Sequence, residues 1–265
     1  MTVDAATEFQ NLTIHLNPAS SRAFNLEQDE ARPLARRILE SPAQEIFKDD
    51  DRTRLTLHEV EGHRWVAKHF HAPTIKTRLG QILHISPAWR EWLGAQRLAR
   101  LRFRVVQPLA LVTGLLGIHC REAIVMAYAD GPTLAQWLRA EGREADPQAR
   151  RDLAERIGHQ IGRLLHAQII NRDHKATNLI LDAAALENEP PMMIDPAGLR
   201  DFHSPRQALR QLRLLHKTTI EEGPVSIREY LLALHSLLEH HGDLQPAGPR
   251  RLANLARRVI EVGPV

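Results

Sequence analysis

Asn171-Arg172-Asp173-His174-Lys175-Ala176-Thr177-Asn178-Leu179-Ile180-Leu181, residues 171–181, is the stretch on which the fold turns. Its front is mostly polar and its end aliphatic, so it reads as a loop running into a buried strand. Just upstream, Leu153, Ile157, Ile161, Leu164 and Leu165 recur at helical spacing within residues 149–168, which predicts an amphipathic helix. The loop between them concentrates a carboxylate, an ammonium and an amide: Asp173, Lys175 and Asn178. A plain polar connection needs no such set, but a group transfer does. A carboxylate can take the proton of an attacking hydroxyl, a lysine can offset charge on the group in flight, and an amide oxygen can bind a hard cation.

Downstream, Met192-Met193-Ile194-Asp195 reads as an apolar strand ending in an aspartate, with a turn at Pro196-Ala197-Gly198. The separation of 17 residues between Asn178 and Asp195 leaves room for a hairpin. Helix, loop with Arg-Asp-x-x-x-x-Asn, strand, then strand and aspartate is the order of a protein-kinase catalytic loop and its metal-binding aspartate. Arg172, Asp173 and Asn178 stand at the matching positions. Earlier in the chain, Trp65-Val66-Ala67-Lys68 places a lysine on an apolar strand. Such a lysine is most often a solvated edge residue. In a kinase it binds the α and β phosphates and pairs with a helix glutamate. Glu91 is the candidate partner. By helical spacing it shares a face with Ala88, Ala95 and Leu98, and an inward carboxylate is costly without a counter-charge.

The surrounding chain is consistent with a globular enzyme. It has 265 residues, 43% hydrophobic and 25% charged, enough for a substantial core. The longest apolar run, residues 109–118, is too short to cross a bilayer. The first residues, MTVDAATEFQ, lack an apolar signal segment, and Cys120 stands alone, so a reducing cytoplasm is expected. The net charge of +3 with a pI near 9.3 favours anionic partners without choosing among nucleotides, nucleic acid, phospholipid and phosphorylated glycolipid. Residues 1–43 form an extension of unassigned role, with a loop at Asn17–Ser21 and a helix over residues 29–40. Residues 44–128 are strand-rich, with one helix starting at Ser86-Pro87, and residues 129–265 are mostly helical. This order predicts an α+β fold of two lobes. His69 with His71 and His240 with His241 lack further ligands at zinc-site spacing. Cys120 reads as a buried thiol, and Asn11-Leu12-Thr13 as a glycosylation acceptor without a secretory route. Arg206, Arg210, Arg213 and Lys217 recur at helical spacing, either as a solvated face or as a surface for an anionic substrate.

With those residues in place, the chain resembles the bacterial lipopolysaccharide kinases, which phosphorylate heptose or Kdo sugars of the lipopolysaccharide inner core. The likeness runs from about Ala43 to Arg258. It includes IFKDDDRTRLTLHEV (46–60), WVAKHF (65–70), QPLALV (107–112), YADGPTL (128–134), LLHAQIINRDHKATNLIL (164–181) and IDPAGLRD (194–201). The helix SPAWREWLGAQRLARL (86–101) and Pro108-Leu109-Ala110 point to these kinases over ordinary protein kinases. The resemblance implies a two-lobed kinase-like fold with a reduced activation segment, and ATP and Mg²⁺ as cofactors. It implies Lys68 and Glu91 as the nucleotide-side pair, Asp173 as the catalytic acid/base and Asn178 with Asp195 as metal ligands. It sets Met126–Ala129, with Tyr128, as the hinge beside adenine. The partner would be a glycolipid, met at the inner-membrane surface by a cytoplasmic protein; no nucleic-acid partner is expected.

The departures are specific. Asn171 stands where the catalytic-loop histidine is usual, and Pro196-Ala197 where Phe-Gly is usual. No glycine-rich loop lies between the first strands, so Lys48, Arg52 and Arg54 would cover the phosphates. No Ala-Pro-Glu follows Asp195, which argues against a regulated protein-substrate kinase. The competing readings are a small-molecule kinase of aminoglycoside or choline type, a protein kinase, and a catalytically silent pseudokinase scaffold.

Overall fold

The alternating residues 53–70 form a hairpin, β3 (Thr53–Val60) and β4 (His63–Phe70), closed by Glu61 and Gly62. Both turn residues have positive φ, 57° and 73°, the geometry that matches the right-handed twist of paired strands. The computed structural model containing this hairpin describes residues 13–23, 27–71, 79–80, 82–116, 119–142, 144–203, 205–223, 225–226, 229 and 232–236. Asn11, Leu12, the Cys120 and Arg206 side chains, Pro224 and the His240–His241 pair lie outside them. The chain divides into two compact units: Met1–Arg97 with Val106–Tyr128, and Leu98–Val105 with Ala129–Val265.

The first unit is built on an antiparallel sheet. To the hairpin are added β1 (Thr13–Leu16), β2 (Glu45–Asp49), β5 (Pro108–Leu116) and β6 (His119–Ala127), in the order β1-β5-β6-β4-β3-β2. The period of two sends Trp65 and Ala67 to one face and Lys68 and Phe70 toward the other. Among the described residues two helices precede the hairpin in the chain, α1 (Pro18–Ala23) and α2 (Gln28–Glu40). Ala31, Leu34, Ala35 and Ile38 of α2 pack with Trp65, Leu109, Val112 and Val125. On the other face, Ala88, Trp89 and Trp92 of α3 (Pro87–Arg100) pack with Phe70, Leu111 and Ile124. Each buried Leu, Ile or Val contributes about 1.5–3 kcal/mol. The extension expected over residues 1–43 thus supplies, in its described part, an edge strand and a covering helix. The loop expected at Asn17–Ser21 is instead the start of α1. Asn17 accepts the Ala19 N–H on Oδ1 at 3.1 Å, and Pro18 opens the helix with its φ already set.

The second unit contains α4 (Leu134–Ala140), α5 (Pro147–His166), α6 (Ala183–Glu187) and α7 (Pro205–Ile220). Thr133 caps α4 through a reciprocal bond pair with Gln136, and Asp146 caps α5 ahead of Pro147. Short ribbons join these helices: β7 (Ile169–Asn171) with β10 (Leu199–Asp201), and β8 (Leu179–Ile180) with β9 (Met192–Met193). The strands expected at Leu179–Leu181 and Met192–Ile194 are each one residue shorter, because the Leu181 N–H turns to Pro132 O and the Ile194 N–H to Asn178 O. Among the described residues no helix is long and apolar enough to cross a membrane.

Candidate active site

In the first unit the lysine–glutamate pair is formed. Ser86 caps α3 by accepting the Trp89 N–H on Oγ at 3.2 Å, and its hydroxyl donates to Glu122 Oε1 at 2.9 Å. This cap sets the rotation of the helix. Glu91 then lies inward with Ala88, Ala95 and Leu98, and is 5% exposed. Lys68 Nζ, on the facing side of β4, donates to Glu91 Oε2 at 2.7 Å. The lysine side chain keeps some solvent access, so its ammonium can also serve an anionic ligand.

The remaining nucleotide-side candidates are engaged within their own unit. Lys48 Nζ lies 2.8 Å from Asp50 Oδ2, and Asp50 Oδ1 accepts the N–H groups of Arg52 and Thr53. The Lys48 ammonium, then these two N–H groups, hold the Asp50 carboxyl well below the usual carboxylate range. Arg54 Nε sits 3.7 Å from Asp49. Two of the three cations expected over the phosphates therefore face carboxylates of their own hairpin. Met126 lies in β6 opposite Val66 and Pro108. The Tyr128 N–H donates to Arg64 O at 3.0 Å, and its ring lies 4.4 Å from the Arg64 guanidinium and stacks on Phe47. That N–H is committed to the protein; a base beside residues 126–129 would have to meet other groups.

In the second unit Asp173, Lys175 and Asn178 converge. Lys175 Nζ lies 3.0 Å from Asp173 Oδ1. The Asn178 side chain donates from Nδ2 to Asp173 O at 2.8 Å and to Asp173 Oδ2 at 3.3 Å. Both acceptors are oxygens without hydrogens, so the amide nitrogen must face Asp173 and Asn178 Oδ1 is turned away from it. The Ile194 N–H donates to Asn178 O at 3.0 Å, and Leu179 pairs with Met193, so β9 delivers Asp195 beside Asn178. Asp195 adopts φ 52°, ψ 57°, a left-handed conformation ahead of Pro196. For a residue with a Cβ this costs about 1–2 kcal/mol. It lets the chain reverse into Pro196-Ala197-Gly198, of which Pro196-Ala197 stand where Phe-Gly is usual.

Supporting residues that the motif does not name complete the loop. Buried Asn171, in the usual histidine position, accepts the Asp173 N–H on Oδ1 at 3.0 Å, and its own N–H donates to Gln211 Oε1 at 3.1 Å. Gln211 thereby turns its Nε2 to His174 Nδ1, 3.3 Å away. Burial pushes His174 down to about 4, which keeps the ring neutral. Thr218 Oγ1 accepts the Ala176 N–H at 3.0 Å. A Cβ on Gly198 would lie 2.7 Å from Asn171 Oδ1 and 2.8 Å from the Asp173 N atom, so only glycine fits under the loop. Its turn context could have revealed Gly198; nothing in the local pattern marks Gln211 or Thr218. Further along α7, Arg210 and Lys217 are exposed, Arg213 is half-buried, and Lys217 lies 3.9 Å from Glu221.

Asn178 Oδ1 and the Asp195 carboxylate are the donor types that suit Mg²⁺, which takes one or two protein oxygens and completes its shell with water and phosphate. Among the described residues no group of three or more His, Cys, Asp or Glu could hold a metal ion.

No protein-family model matches the chain, and no curated protein matches it. Solved structures do match. One, described as WaaP in complex with acyl carrier protein, is 18% identical, with a TM-score of 0.61, and covers 94% of this chain and 98% of that one. At this identity the likeness is one of fold. The chain is a mixed α/β protein similar in fold, along nearly its full length, to WaaP.

Proposed function

We propose that this chain is an Mg²⁺- and ATP-dependent phosphotransferase acting on a sugar hydroxyl, heptose or Kdo, of the lipopolysaccharide inner core. The observation that carries the reading is the joint engagement of Asp173 by Lys175 and Asn178, with Asp195 on the adjacent strand end. In this reading residues 44–128 form the strand-rich lobe and residues 129–265 the helical lobe of a kinase-like fold. Lys68, oriented by Glu91, binds nucleotide phosphates. Lys48, Met126 and Tyr128 belong to the nucleotide side. Asp173 takes the proton of the attacking hydroxyl. Lys175 pairs with Asp173 at rest, 3.0 Å away, and can turn its ammonium to the transferred phosphoryl group. Asn178 and Asp195 would hold Mg²⁺, which when bound neutralises phosphate charge and aligns the transfer.

The acceptor is supported by the resemblance of residues 86–101 and 107–112 to lipopolysaccharide kinases, with which the fold likeness to WaaP agrees. A lipid-borne acceptor places the work of the protein at the cytoplasmic face of the inner membrane. Incubation with labelled ATP and truncated lipopolysaccharide, a polypeptide mixture and aminoglycosides tests the reading. Label should enter the glycolipid, and Asp173→Ala should cut transfer by about 10²–10⁴-fold while sparing Mg-ATP binding. Label only in polypeptide or antibiotic overturns the acceptor; no label anywhere overturns the enzyme.

A further inference from the structure

We propose that the turn built by residues 79–80 and 82–85, with the outer face of α3, is a docking surface for an anionic lipid bilayer. The inference rests on the reading of the acceptor as lipid-borne and names the surface that would meet its membrane. Leu79, Ile82, Leu83 and Ile85 are 53%, 59%, 64% and 61% exposed. Single exposed aliphatics are ordinary on a protein surface, but a run of them is not.

The backbone beneath these side chains is held. The Leu83 N–H donates to Leu79 O at 2.9 Å and the Ile85 N–H to Gly80 O at 2.8 Å, with His84 between them at φ 57°. This is a left-handed helix cap. In such a cap the residue after the left-handed one usually packs back onto the turn. Here the position it would cover is Gly80, which has no side chain, and Ile85 stays in solvent. The His84 ring stacks on Trp89 at 4.1 Å, and buried Trp89 belongs to the packing between α3 and the sheet. The aliphatic groups are thus presented outward from a fixed base.

Charge selects the occupant. The sequence has no Asp or Glu from His69 to Arg90. Glu91, the only acid of α3, is turned inward onto Lys68. Arg90 and Leu93 are exposed, and Arg97 and Arg100 continue their face by helical spacing. Aliphatic side chains on a stretch of sequence without acids, beside a helix face that carries arginines, suit acyl chains beneath negative headgroups. A second copy of this chain, related by a twofold axis, would oppose arginine to arginine.

Co-sedimentation of the full chain with phosphatidylcholine vesicles, plain or with about a quarter phosphatidylglycerol, tests the surface. The wild type should bind the anionic vesicles and bind plain ones weakly. Ile82→Ser with Leu83→Ser should weaken binding about tenfold or more, and Arg90→Glu severalfold at low salt. Both variants should keep the Mg-ATP thermal shift and transfer to a soluble core oligosaccharide, which shows that they are folded. Unchanged vesicle binding in the serine variant overturns the proposal. So does a wild-type dimer that the serine variant converts to monomers without any lipid binding. Vesicle binding without transfer to any lipopolysaccharide acceptor supports the surface and refutes the acceptor instead.

Discussion

Asn178 donates its side-chain amide to both the main-chain carbonyl and the carboxylate of Asp173, at 2.8 and 3.3 Å. The bond can run only from nitrogen to oxygen, so it fixes the Asp173 carboxylate and the direction of Asn178 Oδ1 together. Asn178→Asp would set a second carboxylate against the first. The lost N–H donor and the added negative charge should displace the Asp173 carboxylate and lower kcat by about 10²-fold or more, with little change in ATP binding measured without Mg²⁺. A variant with wild-type kcat would remove Asp173 from the role of base.

Asp195 holds a left-handed backbone that glycine adopts without penalty. Asp195→Gly should leave stability unchanged or raise it by up to ~1 kcal/mol, because relief of strain outweighs the added freedom of the unfolded chain. The same change should abolish turnover and the metal-dependent part of ATP-induced thermal stabilisation. A variant that still gains stability from Mg-ATP over ATP alone would move the metal ligand elsewhere.

Lys68 and Glu91 are mostly withdrawn from water, so removing either one takes from the other its counter-charge at 2.7 Å. Glu91→Ala should destabilise the fold by roughly 2–4 kcal/mol, whereas Lys68→Met with Glu91→Met should recover most of that loss. Neither variant should bind ATP as the wild type does, and Lys68→Arg should not restore binding, because a planar fork does not replace a compact ammonium. Urea titration beside ATP titration separates the two effects. Additive losses in the double variant would mean that the ion pair has no energetic coupling.

Burial drives His174 down to about 4, against 6.5 for an exposed imidazole. Between these values the unfolded chain binds a proton that the folded chain refuses. The associated stability is therefore complete above about pH 6.5 and is lost as pH falls toward 4, by on the order of 3 kcal/mol. His174→Asn should flatten this part of the pH dependence. A residual slope of the same sign should remain, since burial also lowers His15, His58 and His216. Urea midpoints at pH 7 and pH 5 decide it: an unchanged difference between wild type and variant rules His174 out as the source.

The parts legible from sequence are those in which spacing alone brings groups together. Asp173, Lys175 and Asn178 are close because a short loop between a helix and a strand leaves them nowhere else to go. The inward turn of Glu91 follows from helical spacing against Ala88, Ala95 and Leu98, and the side of the sheet that Lys68 takes follows from strand alternation. Tertiary structure alone decided what holds these groups and what competes for them. Gln211 and Thr218 reach the loop from α7, about 40 positions downstream. Gly198 is required by a close approach of two backbone segments. Asp50 draws Lys48 aside, Arg64 takes the Tyr128 N–H, and α2 covers the sheet with residues from the unassigned extension. Periodicity reports which way a residue points within its own element, because backbone sterics set that direction. It carries no record of the hydrogen-bond partner or packing surface that another element brings, because that choice is made only when distant segments meet.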